Sequence, residues 1–339
     1  PDSNKVDLVI ELVPNKKFGF EAGLEVSYAA SNNSSNALSG NLLGIFGNVS
    51  ITNRNIAKEA IRMTHILSAG IELNGNSGST NTSLINSNEI SYSNNIIIPK
   101  NIPFWPTKRR TKPGESFINS RIAYSNRLNL YDLQSFGLNL GKNVPGKNNT
   151  VTKRTNYVFK PLFAEFSYLY NETDSFETIL VQNPFLRYSY NTSFVMGMGG
   201  GVSNVYRNPA HTNRERSLKF NAEESGLTWG ALPILNNYKK TYIKLDGEYK
   251  YTVNYQKTSL VMRGFVGVGI PIFKDSSLPF FKQFFFVGSY SMRGWPLRGI
   301  GVGGQSLPPY QANFFNDRTA DIQIEMNAEY RYVIAHIIP

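Results

Sequence analysis

The tetrapeptide Met292-Arg293-Gly294-Trp295 is the most chemically pointed stretch of this chain. A guanidinium forks onto a carboxylate through two hydrogen bonds, and a neighbouring glycine lets the backbone turn tightly enough to aim it. Such a cation needs an acidic partner wherever it is desolvated. Glu325 and Glu329 are the candidates, because both fall on the polar face of an alternating segment downstream. Other reactive residue types lack the spacing for chemistry. His65, His211 and His336 are too far apart for a zinc-ligand pattern. His211 stands near Asn208, Asn213 and Glu215 with no nucleophile beside it, which reads as a solvated polar turn. There is no cysteine, so thiolate catalysis, disulfides and Cys-ligated metals are excluded within these residues. The run Gly197-Met198-Gly199-Gly200-Gly201 falls inside a strand pattern rather than ahead of a helix, so it points to a bend or a close strand approach, not a phosphate loop. No catalytic group, metal site or cofactor is expected, and the chain does not read as an enzyme.

Composition narrows what positions these residues. Of 339 residues, 13% are aromatic and only 17% charged. A soluble domain carries charge at nearly a quarter of its positions, and a helical membrane protein shows apolar runs of about 20 residues, which are absent here. A tyrosine- and glycine-rich chain of this kind suits a sheet with one apolar and one polar face. The net charge of +11 raises nucleic acid as a partner. The basic residues are scattered, however, and the one dense cluster, Lys108-Arg109-Arg110 with Lys112, sits in a Pro-rich turn. No nucleic-acid partner is expected.

Period-two alternation is the strongest signal. Phe18, Phe20, Ala22, Leu24 and Val26 oppose Gly19, Glu21, Gly23 and Glu25. Leu245, Tyr249 and Tyr251 oppose Lys244, Glu248 and Lys250, and Ile324, Met326 and Tyr330 oppose Glu325 and Glu329. Strands are predicted near 18–29, 41–53, 60–74, 87–98, 116–128, 133–143, 156–170, 187–206, 217–231, 240–256, 259–272 and 319–334. Their length, charged face and terminal tyrosines predict an all-β, transmembrane antiparallel β-barrel, with apolar side chains toward lipid and carboxylates toward the lumen. The Asn/Ser/Gly-rich connections at 32–40 and 75–86 read as extracellular, and those at 53–59 and 99–115 as periplasmic. The connection 273–316 is far the longest, and its Phe280, Phe281, Phe284, Phe285 and Phe286 predict that it folds inward, away from water.

In that loop the chain resembles the BamA/TamA outer-membrane assembly-factor superfamily. The hydrophobic-Arg-Gly-aromatic tip is matched by Met292-Arg293-Gly294-Trp295, its approach by the Phe-rich stretch 279–289, and the next strand by Glu329-Tyr330-Arg331-Tyr332. Residues 6–14 followed by Phe18-Gly19-Phe20 resemble a last POTRA strand entering the first barrel strand, and the overall look is closest to TamA-like proteins of Bacteroidetes. The resemblance implies a barrel of about sixteen strands, of which about twelve lie here and the C-terminal ones beyond. It implies the end of a POTRA domain at 1–15 and the barrel at 16–339, with an N-terminus trimmed after export. It further implies a lateral seam at Phe18, Gly19, Phe20, Glu21, Ala22, Gly23 and Leu24, and a plug loop seated in the lumen by Arg293.

The function this implies is assembly or translocation at the bacterial outer membrane, inserting β-barrel clients or assisting envelope biogenesis through that seam. The implied partners are outer-membrane lipids, unfolded outer-membrane protein clients, and a TamB-like periplasmic bridge or accessory lipoproteins. Two alternatives stay open: a two-partner-secretion translocation pore, which shares the loop motif, and a passive porin-like channel that the long loop merely constricts.

Overall fold

The computed structural model describes residues 11, 16–29, 42–74, 85–100, 102, 114–127, 130–182, 190–211, 213–285, 291 and 319–333. The fold is all-β. Twelve strands form one antiparallel sheet in simple chain order: β1 (Phe18–Ala29), β2 (Leu42–Ile56), β3 (Ile61–Asn74), β4 (Ile85–Ile98), β5 (Glu115–Arg127), β6 (Tyr131–Pro145), β7 (Lys153–Tyr170), β8 (Ser193–Arg207), β9 (Arg214–Ser225), β10 (Tyr242–Asn254), β11 (Thr258–Pro271) and β12 (Ile322–Tyr332). Among the described residues, β1 and β12 are the two edges of the sheet.

The register carries the predicted alternation across the sheet. Phe20, Leu24, Leu245, Tyr249, Ile324 and Tyr330 share one face, and Glu21, Glu25, Lys244, Glu248, Glu325 and Glu329 share the other. The polar face is concave. Lys282 touches Glu165 on β7 while Phe284, two residues on, packs against Gly267 on β11. Those strands are four spacings apart, about 19 Å on a flat sheet, so the sheet must curl around this segment. The concave face is hereafter inward and the apolar face outward. Many outward side chains are bare, on interior strands as well as at the edges: Leu67 is 53% and Ile122 58% exposed.

Local chemistry explains where the elements depart from the predicted bounds. The strand expected over 217–231 stops at Ser225, because Gly226 takes a positive φ of 76° and turns the chain. The Glu224 carboxylate fixes that turn, accepting hydrogen bonds from the Leu227 and Thr228 amides at 3.0 and 3.3 Å. Within β7, Pro161 has no amide to give the ladder, and the register slips on both sides of it, against β6 and β8. The strand expected from 187 begins at Ser193, and the connection before it holds a helix that alternation did not reveal, α1 (Asp174–Gln182). Thr173 Oγ1 accepts from the Phe176 amide at 3.3 Å, and Asp174 and Glu177 place negative charge in the first turn. Phe176 and Leu180, one turn apart, bury against Leu130, Tyr131 and Leu169 and so cap the end of β6 and β7.

Candidate functional site

Two glycines on the inward face of β11 make room for the segment that follows it. A Cβ on Gly269 would lie 2.4 Å from Leu278, and one on Gly267 would lie 2.4 Å from the Phe284 ring. With side chains absent there, Leu278 and Phe284 lie directly on the strand and are buried, Leu278 joining Phe163, Val195 and Tyr242 in a small core. Between them the 3-10 turn η1 (Phe280–Lys282) aims Lys282 across the concave face.

Lys282 is the centre of a polar cluster. Its Nζ is 2.9 Å from Glu165 Oε1 on β7 and 3.0 Å from Glu223 Oε1 on β9. Tyr242 donates its hydroxyl to the same Glu223 oxygen at 2.6 Å, and Lys244 Nζ donates to the Lys282 carbonyl at 2.7 Å. Burial pulls the Lys282 pKa down, but the adjacent Glu223 and Glu165 charges outweigh it and hold the group above the ordinary lysine value. The two described ends of the long connection are also tied together. Phe284 and Ala320 exchange backbone hydrogen bonds at 2.8 and 2.9 Å, and Asp321 accepts from the Leu278 amide at 3.2 Å and from Gln283 Nε2 at 3.3 Å. Residues 278–285 thus lie against the concave face, and apart from Ser291 the rest of the loop beyond them, including Phe286, lies outside the described residues.

A second cluster lies on the inward face of β10, β11 and β12. Arg263 bridges two carboxylates, giving Nε to Glu248 Oε2 at 2.7 Å and Nη1 to Glu325 Oε1 at 2.5 Å. Glu325 is only 5% exposed. Its other oxygen accepts from Ser291 Oγ at 2.6 Å and from Gln323 Nε2 at 3.1 Å, while Asn327 Nδ2 donates to the Ser291 carbonyl at 3.1 Å. The wall therefore grips the loop one residue before the Met-Arg-Gly-Trp motif. Met292, Arg293, Gly294 and Trp295 themselves lie outside the described residues, and so does any contact of Arg293 with Glu325 or Glu329. Glu329 faces inward, half-buried, with Arg331 Nη2 at 2.7 Å. Arg263, Lys282, Glu165 and Glu223 were not anticipated as site residues. The one available signal was a charge at an inward position of an otherwise apolar strand, as in Val261-Met262-Arg263-Gly264-Phe265.

The predicted seam residues form an exposed edge. Phe18, Phe20, Glu21, Ala22, Gly23 and Leu24 are all exposed, and Gly19 is half-buried beneath the Arg54 guanidinium. Arg54 also donates to the Lys16 carbonyl at 3.0 Å, pinning the start of β1 to β2. Elsewhere on the concave face, Ser93, Asn95, Asn119, Ser135 and Asn139 together with Phe280 and Phe281 line an open cavity of about 620 Å³. His65 lies on the outward face, its Nδ1 2.7 Å from the Tyr92 hydroxyl and 3.0 Å from Asn94 Nδ2.

The outward face separates charge by sign. On the described strands its ionic residues are Asp132 and Glu224 at the end bearing the long connections, and Lys142, Lys153, Arg214 and Arg216 at the end bearing the short turns. Between these rims the outward positions are uncharged. No family model matches the chain, and no curated protein matches it.

Proposed function

We propose that this chain is the wall of a bacterial outer-membrane β-barrel that assembles or translocates other proteins, with β1 as the seam where client strands are received. The observation that carries the reading is the uncharged outward band between two ionic rims. From Asp132 to Lys142 on β6, and from Arg216 to Glu224 on β9, the strand rises about 33 and 26 Å respectively. At a tilt of about 40° these lengths become roughly 20–25 Å of height, which matches the apolar belt of a membrane barrel. In water, the same face would expose an apolar surface far larger than a soluble monomer tolerates.

The assembly role rests on β1, the loop and the resemblance of Met292-Arg293-Gly294-Trp295 to the superfamily's plug tip. An edge strand offers unpaired amides and carbonyls to an incoming strand, the chemistry of β-augmentation. The loop base held by Lys282 and Ser291 supplies a fixed element inside the lumen. A photo-crosslinking residue at Leu24 in the full protein, expressed as the only copy, tests this. Capture of newly made outer-membrane barrels at Leu24 is the expected result. Capture of lipid alone, with solute uptake falling when the protein is removed, would instead favour a passive channel, the reading to which the Ser/Asn-lined cavity lends support.

A further inference from the structure

Four cations point outward from the short-turn end of the sheet, and the register sets them in a pattern. Lys153 pairs with Tyr206, Tyr206 with Arg216 and Arg216 with Tyr251, so cation and aromatic alternate in one row across β7, β8, β9 and β10. The Arg216 guanidinium lies 4.7 Å from the Tyr206 ring centroid. Arg214 extends the cationic stretch along β9, and on β6 the Lys142 ammonium lies 5.7 Å from the Phe159 centroid. Lys153, Arg214 and Arg216 are exposed. The salt bridges of this region, Arg207 with Glu215 and Lys219 with Glu248, are on the inward face, and among the described residues no carboxylate forms a salt bridge with Lys153, Arg214 or Arg216.

A guanidinium stacked on a ring keeps its charge and leaves the edge of its planar fork open to an oxyanion. The aromatic rings of the row are amphipathic bodies that settle where apolar and aqueous phases meet. Lys153 and Arg216 are two strand spacings apart, about 10 Å, so the row can meet the phosphates of adjacent lipids at once. The opposite rim, bearing Asp132 and Glu224, offers an anion nothing comparable.

We propose that this row is a binding site for the headgroups of anionic phospholipids, of the phosphatidylglycerol class, in the leaflet at the short-turn end. The inference rests on the membrane-wall reading above. A zwitterionic headgroup presents the same phosphate, but its own ammonium opposes the row. Lipid A also presents phosphates, but in the leaflet at the acidic rim.

The test inserts the full chain into nanodiscs of phosphatidylethanolamine with a minor fraction of phosphatidylglycerol, and counts co-released lipids by native mass spectrometry. Phosphatidylglycerol should be enriched over its bulk fraction, and R216Q should reduce that enrichment about fivefold, the effect of one cation near an anionic surface. A K142Q/K153Q/R214Q/R216Q variant should abolish it, and the doubly substituted acidic rim, D132N/E224Q, should leave it unchanged. Retention in bulk proportion, or enrichment that survives the four substitutions, overturns the proposal. Displacement of phosphatidylglycerol by lipid A at equal concentration overturns the choice of leaflet. Failure of the unaltered chain to enter any bilayer is a separate result, and removes the membrane-wall reading together with the site.

Discussion

Lys282 brings one charge to a wall that supplies two carboxylates, and its neighbour Lys244 contributes the second positive charge nearby. The arrangement is balanced only while the loop base stays docked, since Glu165 and Glu223 would otherwise face each other across the concave surface without their shared cation. Lys282→Met keeps the length and apolar stem of the side chain but removes that cation. It should weaken docking of 278–285 by about 1–3 kcal/mol, the cost of leaving a partly buried charged group unsatisfied, and hydrogen exchange of the Leu278 and Gln283 amides should rise accordingly. Lysine at this site has a pKa raised above its ordinary value. A raised folded-state pKa contributes stability that is full below the unfolded value, about 10.4, and is lost as pH rises through the folded one. The protection of those amides should therefore be insensitive to this lysine at pH 8–9 and fall only above the ordinary lysine range. Arg263 works differently, because its planar fork serves Glu248 and Glu325 at once, a geometry that a lysine ammonium cannot reproduce.

At the scale of elements, small residues on β11 decide where the loop can lie. Gly267→Val would place new atoms in the volume of the Phe284 ring, within 2.4 Å of Cε1 at the Cβ alone. Overpacking of this kind costs about 1–3 kcal/mol, and here the ring has the freedom to leave. Gly267→Val should keep the strand ladder intact while Phe284 moves off the wall, seen as increased proteolysis after Lys282 with an unchanged far-ultraviolet circular dichroism spectrum. Little of this was legible in the sequence. The twelve strands were, because alternation is a local property that each segment displays by itself, and most of the connections that punctuate it are short or polar. The α1 helix was missed because Asp174–Gln182 is held by a Thr173 cap and by Phe176 meeting Tyr131 from another strand, a contact no local pattern encodes. The Lys282 cluster was missed for the same reason: Glu165 and Lys282 are 117 positions apart and meet only because the sheet curls. Glu325 stood out early as an inward carboxylate, but alternation gives a side chain's face and not its partner, and Arg263 on the adjacent strand occupies one of its oxygens.

For the molecule as a whole, the question that decides every other is what solvent meets the outward face. Leu245 and Val266 lie there, in the uncharged band on β10 and β11. Ser203 on β8 faces the concave side, where Lys219 is its register partner. In a bilayer, Val266→Arg, level with Phe220 midway between Arg216 and Glu224, moves a guanidinium into hydrocarbon near mid-depth, at a cost of about 2–4 kcal/mol. Leu245→Arg, level with Ala222 just inside the acidic rim, costs less. In water the same change would solvate a bare apolar patch and cost almost nothing, since surface substitutions fall within about ±0.5 kcal/mol. Ser203→Arg places the same charge on the polar side and should be tolerated in either solvent. The two substitutions, compared by urea unfolding of the protein folded into lipid vesicles, therefore separate the two environments with one side chain. The expected outcome is a lowered unfolding midpoint for Val266→Arg, a smaller loss for Leu245→Arg, and little change for Ser203→Arg. Equal midpoints for all three, or a gain in soluble folded yield from Leu245→Arg without lipid, would mean that the outward face meets water or another protein, and that the uncharged band between its rims is an interface of a different kind.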